Sequence, residues 1–112
     1  MDKKYDEDHP VFSYRKLYEL IENRKSSPEE GSYTSYLFDK GIEKILKKVG
    51  EECTEVIIAG AKKNNKEAVY EIADLAYHVL VMMAELGIKP EEVTEELAKR
   101  YGKGSKVKQE NP

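Results

Sequence analysis

The sequence predicts an all-α fold, a helical bundle built on a long antiparallel helix hairpin. Three observations lead there. Apolar residues recur every three or four positions through two consecutive segments. The turn signal Lys62-Lys63-Asn64-Asn65 separates those segments. No stretch alternates apolar and polar residues as a half-buried strand does.

Taken in order, residues 1–13 form a polar lead-in containing His9-Pro10, and 14–100 form the domain. A first helix is expected from about Ser13 to Arg24, with Leu17, Leu20 and Ile21 on one face. Lys25 to Gly31 is a loop by composition, and the segment Ser32-Tyr33-Thr34-Ser35 is rich in helix-capping types. A long helix follows from about Ser35 to Lys63, its apolar stripe read as Phe38, Ile42, Ile45, Val49, Cys53, Val56 and Gly60. Gly41 lies inside it and marks a candidate break; Gly50 also lies inside and calls for a packing or bending reason. The next helix covers about Lys66 to Leu86, with Val69, Ile72, Ala76, Val79, Leu80 and Met83 inward and Gly87 as its stop. Pro90, Glu91 and Glu92 open a last helix to about Arg100, before a Lys-rich tail over 101–112.

Composition narrows the function classes. The chain has 112 residues, of which 39% are hydrophobic and 37% charged. Domains this small bury a limited share of their surface, and amphipathic helices at this size often complete their core against a second copy. A net charge of −3 gives no overall attraction to nucleic acid or to a membrane surface. The single cysteine allows no internal disulfide and suits a reducing compartment, and residues 1–10 carry no apolar signal core, so a cytoplasmic location is expected.

The chemistry-bearing residues are acids. Glu52 and Glu55 are one helical turn apart and share a face, and Glu71 and Asp74 repeat the spacing on the next helix. The centres of the two pairs average to residue 63, and the turn is centred between residues 63 and 64. In an antiparallel hairpin the pairs therefore face each other at one height. Four converging carboxylates repel strongly unless a cation lies among them, and Mg²⁺, with Mn²⁺ as an alternative, prefers such oxygen donors. The competing structural reading is a solvated acidic face paired with Lys44 and Lys48. His78 lies one turn beyond Asp74 and could contact phosphate, fix a carboxylate or pack in the core. Its spacing does not match the Glu-x-x-His pattern of di-iron bundles. Cys53 sits among acids that oppose thiolate formation.

Three segments carry a more specific likeness: Ser32-Tyr33-Thr34, Lys47-Lys48-Val49-Gly50-Glu51-Glu52-x-x-Glu55, and Glu71-x-x-Asp74-x-x-x-His78. Together they resemble the phosphoribosyl-ATP pyrophosphatase family of histidine biosynthesis, within a wider all-α group that includes MazG-type enzymes and dimeric dUTPases. The resemblance spans about residues 14–100. It implies Mg²⁺-dependent hydrolysis of phosphoribosyl-ATP to phosphoribosyl-AMP and pyrophosphate by a homodimer with a four-helix core. It carries the metal ligands onto Glu52, Glu55, Glu71 and Asp74. Glu51, Glu52 and Glu55 become candidates for activating water, and Lys47 and Lys48 for binding phosphate. Ser32 and Thr34 could bond phosphate or ribose, or only cap a helix. Arg100 could reach a neighbouring subunit's site. Two rival functions are a house-cleaning pyrophosphatase for noncanonical nucleotides and a non-catalytic helical dimerisation module.

Overall fold

The computed structural model describes residues 12–103 of the chain; residues 1–11 of the expected lead-in over 1–13 and residues 104–112 of the expected tail lie outside them. Within the described residues there are five helices and no strand. They are α1 (Tyr14–Ser26), α2 (Tyr33–Lys40), α3 (Ile42–Ala61), α4 (Asn65–Leu86) and α5 (Pro90–Lys103).

The ends of these helices follow from local chemistry. Ser13 caps α1 by accepting from the Lys16 amide, and Ser32 caps α2 through the Ser35 amide. The expected long helix from Ser35 to Lys63 is two helices. Gly41 divides it with φ +96° and ψ −178°, a backbone region open essentially to glycine alone. Gly50 stays helical and exposed, and nothing in the structure requires glycine there. Lys63 turns the chain out of α3 at φ +57°, and Asn64 then caps α4 by accepting from the Glu67 amide. Gly87 ends α4 in the left-handed region, with the Ile88 amide returning to the Met83 carbonyl at 2.8 Å. The last helix runs through Lys103, past the expected end at Arg100.

The most extensive helix–helix interface is the antiparallel α3–α4 hairpin. One end of it is covered by α1 and α2. There Tyr18, Ile21, Leu37, Ile45, Leu80, Val81, Met83 and Ala84 form the core. Burying one such aliphatic side chain contributes about 1.5–3 kcal/mol. Tyr18 also donates its hydroxyl to the Ile88 carbonyl at 2.7 Å, and Lys25 donates to the Ala84 carbonyl at 3.1 Å, which ties α1 across the end of α4.

Towards the hairpin tip the packing thins. Ile57 and Val69 are both 68% exposed, and Tyr70 is 70% exposed. In α3 the buried line is Ile45, Glu52 and Ala59, seven residues apart. Cys53, expected on the apolar stripe, is exposed, because the buried seam passes one position away from it.

Candidate active site

The register of the hairpin is fixed by its turn, and that register sets the acids against each other. Glu52 occupies the middle of the buried α3 line, only 7% exposed. Opposite it, α4 presents Asp74 and, one turn on, His78. A carboxylate oxygen from each acid and a ring nitrogen of His78 lie within 4.8 Å of one another. One oxygen of Glu52, Oε1, is buried with no hydrogen-bond partner. Its other oxygen is 3.6 Å from Lys48 Nζ, which is also 3.4 Å from Glu51. A buried, unpartnered carboxylate oxygen is costly, and a cation is the partner that such a group lacks.

The electrostatics extend this cluster to the other two acids. The Glu71 carboxyl is pushed up from its ordinary value by loss of solvent and then by the charges of Glu55, Glu52 and Asp74. Glu71 thus feels all three of the other expected ligands. Glu55 is exposed and lies outside the tight Glu52–Asp74–His78 group. Burial opposes the charge on Lys48, but Tyr33, Glu51 and Glu52 outweigh it and hold its pKa above the ordinary value.

The first turn of α2 borders the cluster. Tyr33 hydrogen-bonds His78 Nε2 at 3.0 Å, and Thr34 hydrogen-bonds the Tyr77 hydroxyl. The Tyr33 ring stacks on Tyr36 and on Tyr77, at 6.0 and 6.2 Å between centroids. Sequence reasoning gave Tyr33 and Tyr77 no role; the signal was Tyr33's place between the two hydroxyl residues that it did single out.

The remaining expected residues divide clearly. Ser32 Oγ accepts the Ser35 amide at 3.1 Å, as a helix cap does, and Thr34 is engaged with Tyr77. Lys47 is exposed. Arg100 bonds Glu96 at 3.0 Å on its own helix, and α5 packs against α1, so nothing brings Arg100 to the acids within one chain. His78 is buried, 3% exposed, with Nδ1 2.8 Å from the Asp74 carbonyl oxygen. Of the three roles the sequence left open for it, this environment suits fixing a carboxylate.

Two opposed acidic pairs, one buried carboxylate oxygen without a partner and an adjacent lysine suit a hard divalent cation and a polyphosphate. The family model described as phosphoribosyl-ATP pyrophosphohydrolase matches residues 14–101. The chain is 58% identical over 92 residues to a phosphoribosyl-ATP pyrophosphatase of Lactiplantibacillus plantarum, covering 82% of this chain and 87% of that protein. It is 61% identical over 91 residues to the phosphoribosyl-ATP pyrophosphatase of Listeria innocua, covering 81% and 87%. It is also 56% identical over 88 residues to the histidine biosynthesis bifunctional protein HisIE of Caldanaerobacter subterraneus, covering 79% of this chain and 43% of that longer one. With the family model spanning nearly all the described residues, and with relatives this similar over most of their own length, the chain belongs to the phosphoribosyl-ATP pyrophosphohydrolase family.

Proposed function

We propose that this chain hydrolyses phosphoribosyl-ATP to phosphoribosyl-AMP and pyrophosphate, the second step of histidine biosynthesis, and that it does so with Mg²⁺, or Mn²⁺ in its place. The observation that carries this reading is the buried Glu52 Oε1, which has no partner, on a carboxylate that clusters with Asp74 and His78 across the hairpin.

Glu52, Asp74, Glu71 and Glu55 are the residues that would hold the cation, Glu52 and Asp74 from inside the cluster and the other two from its more open side. Their oxygen donors fit Mg²⁺, which keeps positions free for water and phosphate. When bound, the ion supplies charge compensation for the phosphate oxygens and for the departing pyrophosphate. The protein's own groups do the rest. Lys48, held charged by its surroundings, and Lys47 bind phosphate as point charges. One of Glu51, Glu52 and Glu55 takes the proton of the attacking water; exposed Glu51 and Glu55 reach solvent more readily than Glu52. Ser32 and Thr34 border the substrate from α2. Arg100 serves the site of a neighbouring subunit.

The working unit in this reading is a homodimer. It is supported by a groove of about 410 Å³ between α4 and α5, lined by Ile72, Val79, Met83, Val93 and Leu97. No helix of the described residues is long and apolar enough to cross a membrane, and the proposed location is the cytoplasm.

The deciding experiment incubates the purified chain with phosphoribosyl-ATP and Mg²⁺ and measures pyrophosphate, beside a panel of canonical and noncanonical nucleoside triphosphates. Pyrophosphate from phosphoribosyl-ATP alone is expected. Release from the triphosphates instead would favour the house-cleaning reading. No release, with no calorimetric binding of Mg²⁺ and a nonhydrolysable ATP analogue, would leave a dimerisation module.

A further inference from the structure

His78 contributes one of the three donor atoms that cluster within 4.8 Å, so it is the obvious third metal ligand. Its hydrogen bonds argue otherwise. Nδ1 is 2.8 Å from the main-chain oxygen of Asp74. A carbonyl oxygen only accepts, so Nδ1 carries the proton. In the neutral ring Nε2 then holds a lone pair, and the Tyr33 hydroxyl, 3.0 Å away, donates to it. Loss of solvent keeps the Tyr33 phenol protonated, its pKa pushed up. Neither ring nitrogen has a lone pair left for an ion. The ring is also clamped mechanically. It meets Tyr33 edge-on at 5.8 Å and Tyr77 edge-on at 4.8 Å, and the Thr34–Tyr77 bond runs alongside. Two consecutive residues of α2 thus grip two consecutive residues of α4, one turn from Asp74.

We propose that His78 is a positioning residue and not a ligand. Tyr33 locks it in the Nδ1–H tautomer, and that proton holds the Asp74 backbone, with the Asp74 carboxylate 3.5 Å from the same nitrogen. Tyr33 is the outer member of the device: it acts on the cation site only through His78. Groups that orient first ligands commonly change metal affinity by about 10–100-fold when removed.

The test reads the tautomer directly. Long-range ¹H–¹⁵N correlation spectra are recorded on the full chain carrying His9→Gln, so that only His78 contributes ring signals. The expected result is a protonated Nδ1 and an unprotonated Nε2, with both ¹⁵N shifts nearly unchanged when Mg²⁺ is added. A protonated Nε2, or a ligation-sized shift of either nitrogen with Mg²⁺, would overturn the proposal. Tyr33→Phe should let the ring sample both tautomers and weaken Mg²⁺ binding in calorimetry about tenfold. In turnover it should lower kcat at fixed Mg²⁺ more than it raises KM. Among replacements of His78, Asn places a donor near Nδ1 and should retain more Mg²⁺ affinity than Gln, which mimics Nε2. The opposite order would make Nε2 the working atom and sink the idea. Only the turnover readout rests on the proposed reaction. A wild-type chain that leaves phosphoribosyl-ATP intact while the spectra and Mg²⁺ titrations behave as stated would refute the reaction and leave the role of His78 standing.

Discussion

Arg15 and Glu91, 76 residues apart, join α1 to the first turn of α5 through a two-point ion pair. Arg15 Nε donates to Glu91 Oε2 at 2.9 Å, and a terminal guanidinium nitrogen donates to the other oxygen. Residues 91–102 of α5 are all exposed, so this pair is a main tether of that helix. The Arg15 hydrogen bonds hold the Glu91 carboxyl below its ordinary value of 4.5. A carboxylate whose pKa is lowered by folding stabilises the fold above its unfolded pKa, and that contribution fades as the pH falls through the folded value. Glu91→Gln should therefore lower stability slightly at pH 7. The gap from wild type should shrink in urea titrations as the pH is lowered through and below the ordinary carboxylate range, and should also narrow in high salt.

Glu52→Gln tests the buried acid. The amide removes a charge from a cluster of like charges, so the cation-free protein should melt no lower than wild type. The rise in melting temperature on adding Mg²⁺ should disappear, because an ion that binds only the folded state stabilises by mass action. Differential scanning fluorimetry with and without Mg²⁺ reads both effects.

Glu71→Gln and Glu55→Gln separate charge relief from chemistry. Glu71 carries a desolvation cost and the combined repulsion of Glu55, Glu52, Asp74 and Glu67, so its neutralisation should raise the melting temperature without Mg²⁺ and weaken Mg²⁺ binding. Glu55 is exposed but repels Glu71, so its replacement should keep the fold and melt no lower than wild type while removing most hydrolysis of phosphoribosyl-ATP. Full turnover by Glu55→Gln would remove Glu55 from the proposed mechanism.

Gly41→Ala probes the joint between α2 and α3. No atom lies within 4 Å of the added Cβ, so the cost is backbone strain alone, about 1–3 kcal/mol. The joint also ends the short helix whose first residue, Tyr33, bonds His78. The variant should lose Mg²⁺ affinity along with stability, whereas Gly50→Ala, at an exposed helical site, should gain roughly 1 kcal/mol.

Much of this architecture was legible from the chain. Counting outward from the Lys62–Asn65 turn placed Glu52 opposite Asp74 because helix rise is uniform and the turn is short. Asn64, Gly87 and Pro90 marked helix ends through backbone chemistry that needs no tertiary context. The phase of α3 was harder. Its buried line includes Glu52, and a pattern search for apolar residues skips an acid at a seam position and drifts to Cys53. The same acid was read as a candidate ligand and missed as a seam residue. The Tyr33–His78 bond was illegible for another reason: it joins residues 45 apart, and its geometry depends on the break at Gly41.

The ladder of Tyr33, Tyr36 and Tyr77 gives the protein an intrinsic optical reporter. The chain contains no tryptophan, so its near-ultraviolet circular dichroism comes largely from tyrosine, and the immobilised, mutually stacked rings beside the acids should dominate it. Ion or nucleotide arrival could then be followed by light alone, on unlabelled material, at the place where it happens.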